Sequence, residues 1–356
     1  MSTMLADHTT LGLGGSAKAF HAAATTDELV RLVTDADRAG ERVLVLGGGS
    51  NLVVADDGFP GAVILVASQG VTVTDAGTDA DTGETVVLLR AEAGVDWDPL
   101  VERAVAEGLN GIEFLSGIPG RVGSTPIQNV GAYGQDVSQT IREVLVLDRT
   151  TGDLVTMSNA DCGFTYRDSS FKGHDRYVVC EVVFELRRGP MSRPVRYAEV
   201  ARTMGVEAGE RVPLDKARDV VLGLRRGKGM VLDPGDPDTR SAGSFFTNPI
   251  LSPEDYAAFR ERATERLGPD AEIPGHPDDQ GNVKLSAAWL IDRAGFTKGY
   301  GDGPARISGK HTLALTNPGG ASTADLLDLA REVRAGVETA FGVRLVNEPV
   351  MVGVSL

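Results

Sequence analysis

Five glycines and two prolines fall within the nineteen residues from Ser116 to Gly134, a density that rules out a continuous helix or strand there. The segment reads Ser116-Gly117-Ile118-Pro119-Gly120-Arg121-Val122-Gly123-Ser124-Thr125-Pro126-Ile127-Gln128-Asn129-Val130-Gly131-Ala132-Tyr133-Gly134. A flexible linker would be rich in Ser, Lys and Glu. Here Ile, Val, Gln, Asn and Tyr stand between the glycines instead. Glycine lets main-chain N–H groups approach a ligand closely, and successive N–H groups in a turn make a concave anion site. The segment therefore reads as a ligand cradle set between regular elements.

The rest of the chain bounds what that cradle can serve. At 356 residues the chain exceeds a single core and is expected to hold two or three domains. No apolar run reaches the length of a membrane span, and Met1 to His8 lacks a basic stretch followed by an apolar one. The expectation is a cytoplasmic protein without membrane insertion. A formal charge of −15 argues against nucleic acid as a partner, because phosphate contacts need a basic face. A small anion can still be held by a local cationic cluster. Arg225, Arg226 and Lys228 form one, and two readings stand for it: a solvated helix end or an anion site. Cys162 and Cys180 lack metal-ligand spacing and read as small buried residues. His8, His21, His174, His276 and His311 do not cluster with carboxylates or Cys, so no metal site is expected. Nothing in the sequence sets the oligomeric state.

Along the chain, Thr25 and Glu28 predict a capping box opening a helix. Arg42 to Leu46 reads as a strand breaking at a second glycine turn, Gly47-Gly48-Gly49-Ser50-Asn51, and Val63 to Val66 as another strand. Thr72 to Gly83 reads as a hairpin tip or surface loop, Thr85 to Ala91 as a strand, and Trp97 to Val105 as a helix face. Val144 to Leu147 and Tyr177 to Leu186 read as strands. Asp233 to Asp238 is a surface loop, and Ser252 caps a helix with Pro253 at its first position. Lys284 to Ala294 is predicted as a helix, Ser322 opens a long C-terminal one, and Pro349 to Val354 closes the chain as a strand. Domains are expected at 1–70, 71–215 and 216–356, with the last strand free to pack back on the N-terminal domains.

The turn at Gly47 has neither G-x-G-x-x-G spacing with a ribose-binding acid nor the Lys of a P-loop. Two glycine loops on two α/β units suit one extended ligand with two phosphates. Five motifs then stand in a characteristic order: Gly47 to Asn51, Ser116 to Gly134, Gly163-Phe164-Thr165-Tyr166-Arg167-Asp168-Ser169, Ala242-Gly243-Ser244-Phe245-Phe246-Thr247-Asn248-Pro249, and Asn347-Glu348-Pro349. In this the chain resembles, over essentially its whole length, the UDP-N-acetylenolpyruvoylglucosamine reductase (MurB) family, in the type I branch that carries a substrate-capping tyrosine.

The resemblance implies an α+β fold: two FAD-binding subdomains of the PCMH/vanillyl-alcohol-oxidase type plus a C-terminal α+β substrate domain. It implies non-covalent FAD, held by Gly47, Gly48, Gly49, Ser50 and Asn51 on one loop and by Gly117, Gly120, Gly123, Ser124, Ile127, Gln128 and Ala132 on the other. NADPH would reduce the flavin, and UDP-N-acetylglucosamine enolpyruvate would then be reduced to UDP-N-acetylmuramate. Arg167 would bind the substrate carboxylate through its planar fork, Glu348 would pair with it to stabilise the enol form, and Ser244 would donate the proton. Tyr166, Tyr197, Arg225, Lys228 and Asn248 would contact substrate, which favours the anion reading of the cationic cluster. Tyr197 also fits an aromatic packed at a helix start. A flavin oxidase of the same superfamily and a non-catalytic nucleotide-sugar-binding regulator are the rival readings.

Overall fold

The computed structural model describes residues 2–80 and 82–356. The chain forms two compact units, one holding Ala17–Gly49 and Phe59–Gly227, the other Met4–Ser16, Ser50–Gly58 and Lys228–Leu356.

The first unit begins with a three-stranded parallel sheet in which Phe59–Val66 lies between Ala17–Ala23 and Val43–Leu46. Helix Thr26–Arg38 covers it, burying Leu29, Val33 and Ala36. Leu29 and Val33 so buried contribute up to about 1.5–3 kcal/mol each. Half of the predicted capping box is present: Thr25 Oγ1 accepts from Glu28 N at 3.1 Å, while Glu28 Oε2 accepts from Ala24 N at 2.9 Å, one residue before the cap.

The unit continues in an antiparallel sheet ordered Asp153–Ser158, Ile141–Asp148, Tyr177–Arg188, Thr85–Glu92, Val71–Thr78, with Leu109–Asn110 pairing to Tyr177–Arg188. Strand Tyr177–Arg188 runs through the middle, and its Val178, Val182, Phe184 and Leu186 are buried. Trp97 of helix Trp97–Ala106 packs 5.6 Å from Phe184. Cys162 and Cys180 are buried here as expected, and burial pushes both thiols up to about 12. Val71–Thr78 corrects the first part of the reading of Thr72 to Gly83 as a hairpin tip or surface loop; the tip itself comes after Thr78, before the antiparallel partner Thr85–Glu92. Val71–Thr78 is an edge strand whose outer residues are solvent-exposed, so Thr and Asp replace apolar residues without cost. Asp81, within that stretch, lies outside the described residues.

In the second unit, helices Pro253–Leu267, Ala287–Arg293 and Thr323–Phe341 surround a core rich in aromatic side chains, including Phe245, Phe246, Phe259 and Phe341. Ser252 and Ser322 cap the first and last of these helices, and the latter forms a capping box with Asp325. Lys284 and Leu285 belong to strand Val283–Leu285, so the predicted helix starts only at Ala287, capped by Ser286. The closing strand Val350–Val352 pairs in parallel with Leu52–Val54. That pairing draws Ser50–Gly58 out of the N-terminal sheet region and into the second unit. Helix Leu214–Gly227 belongs to the first unit, so position 216 falls within a helix rather than at a boundary.

Candidate active site

In the first unit the two glycine loops meet. Gly47 and Gly48 follow strand Val43–Leu46 directly. A Cβ built on Gly48 would lie 2.7 Å from the Gly120 Cα, and one on Gly47 would lie 2.5 Å from Ser124 Oγ. Neither residue has positive φ, so glycine is required here by space and not by backbone angle. Gly49, at φ +61°, turns the chain. Gly123 is equally tight, its Cβ position lying 2.5 Å from the Ala93 Cβ.

The cradle is tied down from within. Gly117 N donates to Asp98 Oδ1 at 2.6 Å, Gly123 N to Ala93 O at 2.9 Å and Ser124 N to Arg121 O at 2.9 Å. Asp98 in turn holds Arg218 through two hydrogen bonds, at 2.7 and 3.0 Å. The N–H groups of Gly117, Gly123 and Ser124 therefore shape the loop, and diphosphate donors must come from its other positions. Arg121 is also engaged, donating to Val66 O and lying 3.8 Å from Asp96. Ile127 and Ala132 are half-buried against the core, and Ile127 O accepts from Ser169 Oγ at 2.6 Å. Gln128 sits beside Ile127, also half-buried. Closely approaching main chain, a hydroxyl and apolar side chains in one loop pair suit a flat, diphosphate-bearing cofactor such as FAD.

Arg167 occupies a tight turn closed by Thr165 N donating to Asp168 O at 3.0 Å, with φ +56°. Such a backbone costs a non-glycine residue about 1 kcal/mol or more and persists where its surroundings impose it. The guanidinium donates through Nη1 to Asp136 Oδ1 at 3.0 Å and to Asn129 O at 3.2 Å, and through Nη2 to Gly131 O. Tyr166, partly exposed, places its ring 5.2 Å from this guanidinium.

Tyr197 is the residue before helix Ala198–Met204 and is 44% exposed, so it is not a core aromatic. Its ring meets Tyr133 edge-on at 5.4 Å. Burial raises the Tyr133 hydroxyl to about 12, partly offset by the nearby Arg225. Arg225 lies on helix Leu214–Gly227 and is only 8% exposed, while Arg226 is exposed. Its guanidinium pKa is lowered by desolvation. A solvated helix end therefore does not describe Arg225. A cation held this deep is costly unless an anion or dipole meets it.

In the second unit, Ser244 and Glu348 are brought side by side. Phe246 bridges Asn347, Glu348 N donates to Phe245 O at 2.9 Å, and Thr247 N donates to Val346 O at 3.0 Å. Gly243, at φ +71°, turns the chain into Ser244. Asn51 joins this group: its side-chain amide reaches Glu348 O at 3.4 Å and its carbonyl accepts from Val350 N at 2.9 Å. Ser50 begins the same stretch and Lys228 opens the unit's main segment, both half-buried. Asn248 spends its Oδ1 on Ala287 N at 2.9 Å, at the start of helix Ala287–Arg293, which is structural work. Asp98 and Asp136 were not anticipated from sequence. Each acts across a long chain separation with no local signature. Among the described residues no cluster of His, Cys, Asp or Glu is placed to hold a metal, and no helix is long and apolar enough to cross a membrane.

Residues 17–158, which hold both glycine loops' meeting point, match the FAD binding domain family, so the chain is of the FAD-binding class. Residues 236–352 match the C-terminal domain of UDP-N-acetylenolpyruvoylglucosamine reductase. A protein of that name from Thermobifida fusca is 64% identical, over 99% of this chain and 97% of its own. One from Streptomyces coelicolor is 58% identical, over 99% and 90%. The crystal structure of the reductase from Thermus caldophilus superimposes with a TM-score of 0.65 at 26% identity, covering 99% of this chain and 98% of that one. The chain belongs to the UDP-N-acetylenolpyruvoylglucosamine reductase family.

Proposed function

We propose that the protein catalyses the NADPH-dependent reduction of UDP-N-acetylglucosamine enolpyruvate to UDP-N-acetylmuramate, in peptidoglycan precursor synthesis. The observation that carries this is the end-to-end identity, 64% and 58%, with reductases of that name. FAD, when bound, supplies the redox chemistry, accepting hydride from NADPH and passing it to the vinyl group of the substrate. The meeting of Gly48 with Gly120 and of Gly47 with Ser124 supports the two loops as its seat.

Arg167 would take the substrate carboxylate, and its three-point anchorage supports a guanidinium held in one direction before substrate arrives. Hydride addition at the terminal carbon leaves negative charge spread from the adjacent carbon into the carboxylate. Glu348 would stabilise that enol form, and Ser244 would give its hydroxyl proton to the adjacent carbon. Their adjacency across the Phe246–Asn347 bridge supports this pairing. Tyr197, partly exposed at a helix start, would close over the UDP portion as in the type I branch. Arg225 and Lys228 would meet the diphosphate, as the resemblance implies. Tyr166 and the remaining amide of Asn248 would complete the substrate contacts. The substrates are those of cytoplasmic wall-precursor synthesis, on which cell shape and division depend.

The test is NADPH oxidation by the FAD-loaded protein without oxygen. Beyond the one equivalent that reduces the bound flavin, it should require UDP-N-acetylglucosamine enolpyruvate in stoichiometric amount. Oxidation that proceeds only with oxygen, indifferent to that substrate, would point to an oxidase and overturn the proposal.

A further inference from the structure

Arg167 does not hold itself in place; it is held by the hairpin formed by Gly131–Ala132 and Gln135–Asp136. The two turn residues, Tyr133 at φ +50° and Gly134 at φ +85°, have the left-handed backbone that two-residue hairpins favour. Gln135 Oε1 accepts from Phe114 N at 2.9 Å and Val137 N donates to Val130 O at 2.9 Å, so the hairpin is anchored at its base. Its last residue, Asp136, presents Oδ1 to Arg167 Nη1 at 3.0 Å.

Gly131 faces Asp136 in the register. A Cβ there would lie 1.6 Å from Asp136 Oδ1 and 2.7 Å from Arg167 Nη1. Since φ at Gly131 is not positive, the backbone would accept any residue. Glycine at 131 is what makes room for the ion pair. The turn bearing Arg167 is tied to the same region: Asn129 Nδ2 donates to Thr165 O at 2.9 Å, and Lys172 Nζ donates to Arg167 O at 2.9 Å. The turn's main chain is thus fixed as well as the guanidinium, with Asn129 holding both.

We propose that Asp136 is the positioning residue for Arg167, and that the absence of a side chain at Gly131 admits their contact. The proposal rests on the reading of Arg167 as the group that binds the substrate carboxylate. A guanidinium fixed by a carboxylate and two carbonyls keeps its direction without substrate and loses little freedom when substrate binds. A charge-assisted bond of this kind is worth about tenfold to a hundredfold in the step that depends on it.

The experiment measures three quantities on FAD-loaded enzyme: flavin content, flavin reduction by NADPH, and anaerobic reoxidation of the reduced flavin by UDP-N-acetylglucosamine enolpyruvate. Asp136→Ala and Gly131→Ala should each slow reoxidation roughly tenfold to a hundredfold, with flavin content and reduction by NADPH within about twofold of the parent. Asp136→Asn keeps an acceptor oxygen and should slow reoxidation less, by roughly fivefold. If Asp136→Ala fails to fold or hold FAD, Asp136→Asn decides. Reoxidation by Asp136→Asn within twofold of the parent overturns the proposal in that case, as does the same result for Asp136→Ala when it folds. Arg167→Ala separates the two claims. If it stops reoxidation while the Asp136 variants do not, Arg167 keeps its role and Asp136 loses it. If it leaves reoxidation unchanged, the reading of Arg167 falls and the positioning role with it.

Discussion

Replacing Gly48 with alanine tests whether the two glycine loops form the cofactor seat. The new Cβ would sit 2.7 Å from the Gly120 Cα, against a comfortable carbon–carbon contact of about 3.5–4.0 Å. The loops must therefore part by roughly 0.8 Å or more. Both partners at the clash are main chain, so no rotamer change relieves it. Overpacking of this kind costs about 1–3 kcal/mol, and loops that part no longer match the ligand set between them. The expected result is a Kd for FAD raised roughly tenfold to a hundredfold, measured by quenching of flavin fluorescence on titration into deflavinated protein. Gly223→Ala is the control. It lies in helix Leu214–Gly227 with nothing within 4 Å of its Cβ position, and should leave the Kd unchanged while stabilising that helix by about 0.5–1 kcal/mol. FAD affinity in Gly48→Ala equal to the parent would refute the placement of the flavin diphosphate between these loops.

Two further outcomes follow from the frame. Asp148 accepts from Arg176 and from Thr150 N, and its carboxyl pKa is lowered to about 2. A depressed carboxylate stabilises the fold fully above its unfolded pKa of about 3.9. That contribution fades as pH falls toward 2, so Asp148→Asn should flatten the acid limb of a stability–pH profile between about pH 4 and pH 2. A parallel profile in the variant would show that the pair contributes nothing. Phe259, 2% exposed and packed on Tyr256, Trp289 and Phe341 at 6.0, 6.4 and 6.0 Å, should cost about 3–5 kcal/mol on truncation to alanine. Urea unfolding of the second unit's aromatic signal checks it, and a loss under 1 kcal/mol would mean that this core collapses to fill the space.

Much of the frame was legible because local chemistry and tertiary packing agree. Thr25, Ser252 and Ser322 cap helices where the sequence predicts starts, from Glu28 after Thr25 and from Pro253 after Ser252. The apolar runs Arg42 to Leu46 and Tyr177 to Leu186 became strands, the first half-buried and the second largely buried. What escaped depends on distance along the chain. Val71–Thr78 looks like a loop because an edge strand need not bury its outer residues. Leu52–Val54 looks like part of the first α/β unit until Val350–Val352, some three hundred residues later, pairs with it. In the site, motif order singled out Arg167, Ser244 and Glu348, but their supports were invisible. Asp136 lies 31 positions from Arg167, and Asp98 lies 120 from Arg218. Nothing local marks either acid as a partner. The N–H groups of Gly117, Gly123 and Ser124 looked like phosphate donors in sequence and are spent inside the loop.

The central claim is that this chain protonates and reduces an enolpyruvyl ether using Ser244 as the proton source. Single-turnover reaction of NADPH-reduced enzyme with UDP-N-acetylglucosamine enolpyruvate, without oxygen, tests it most directly. The parent should return to the oxidised flavin spectrum while forming one UDP-N-acetylmuramate per flavin. Ser244→Ala should hold FAD and accept hydride from NADPH normally, yet be reoxidised at least a hundredfold more slowly, in line with the contribution of a positioned proton donor, about 10²–10⁴. Reoxidation of Ser244→Ala at the parent rate would contradict the assignment of the proton donor. A parent enzyme whose reduced flavin ignores this substrate would contradict the function.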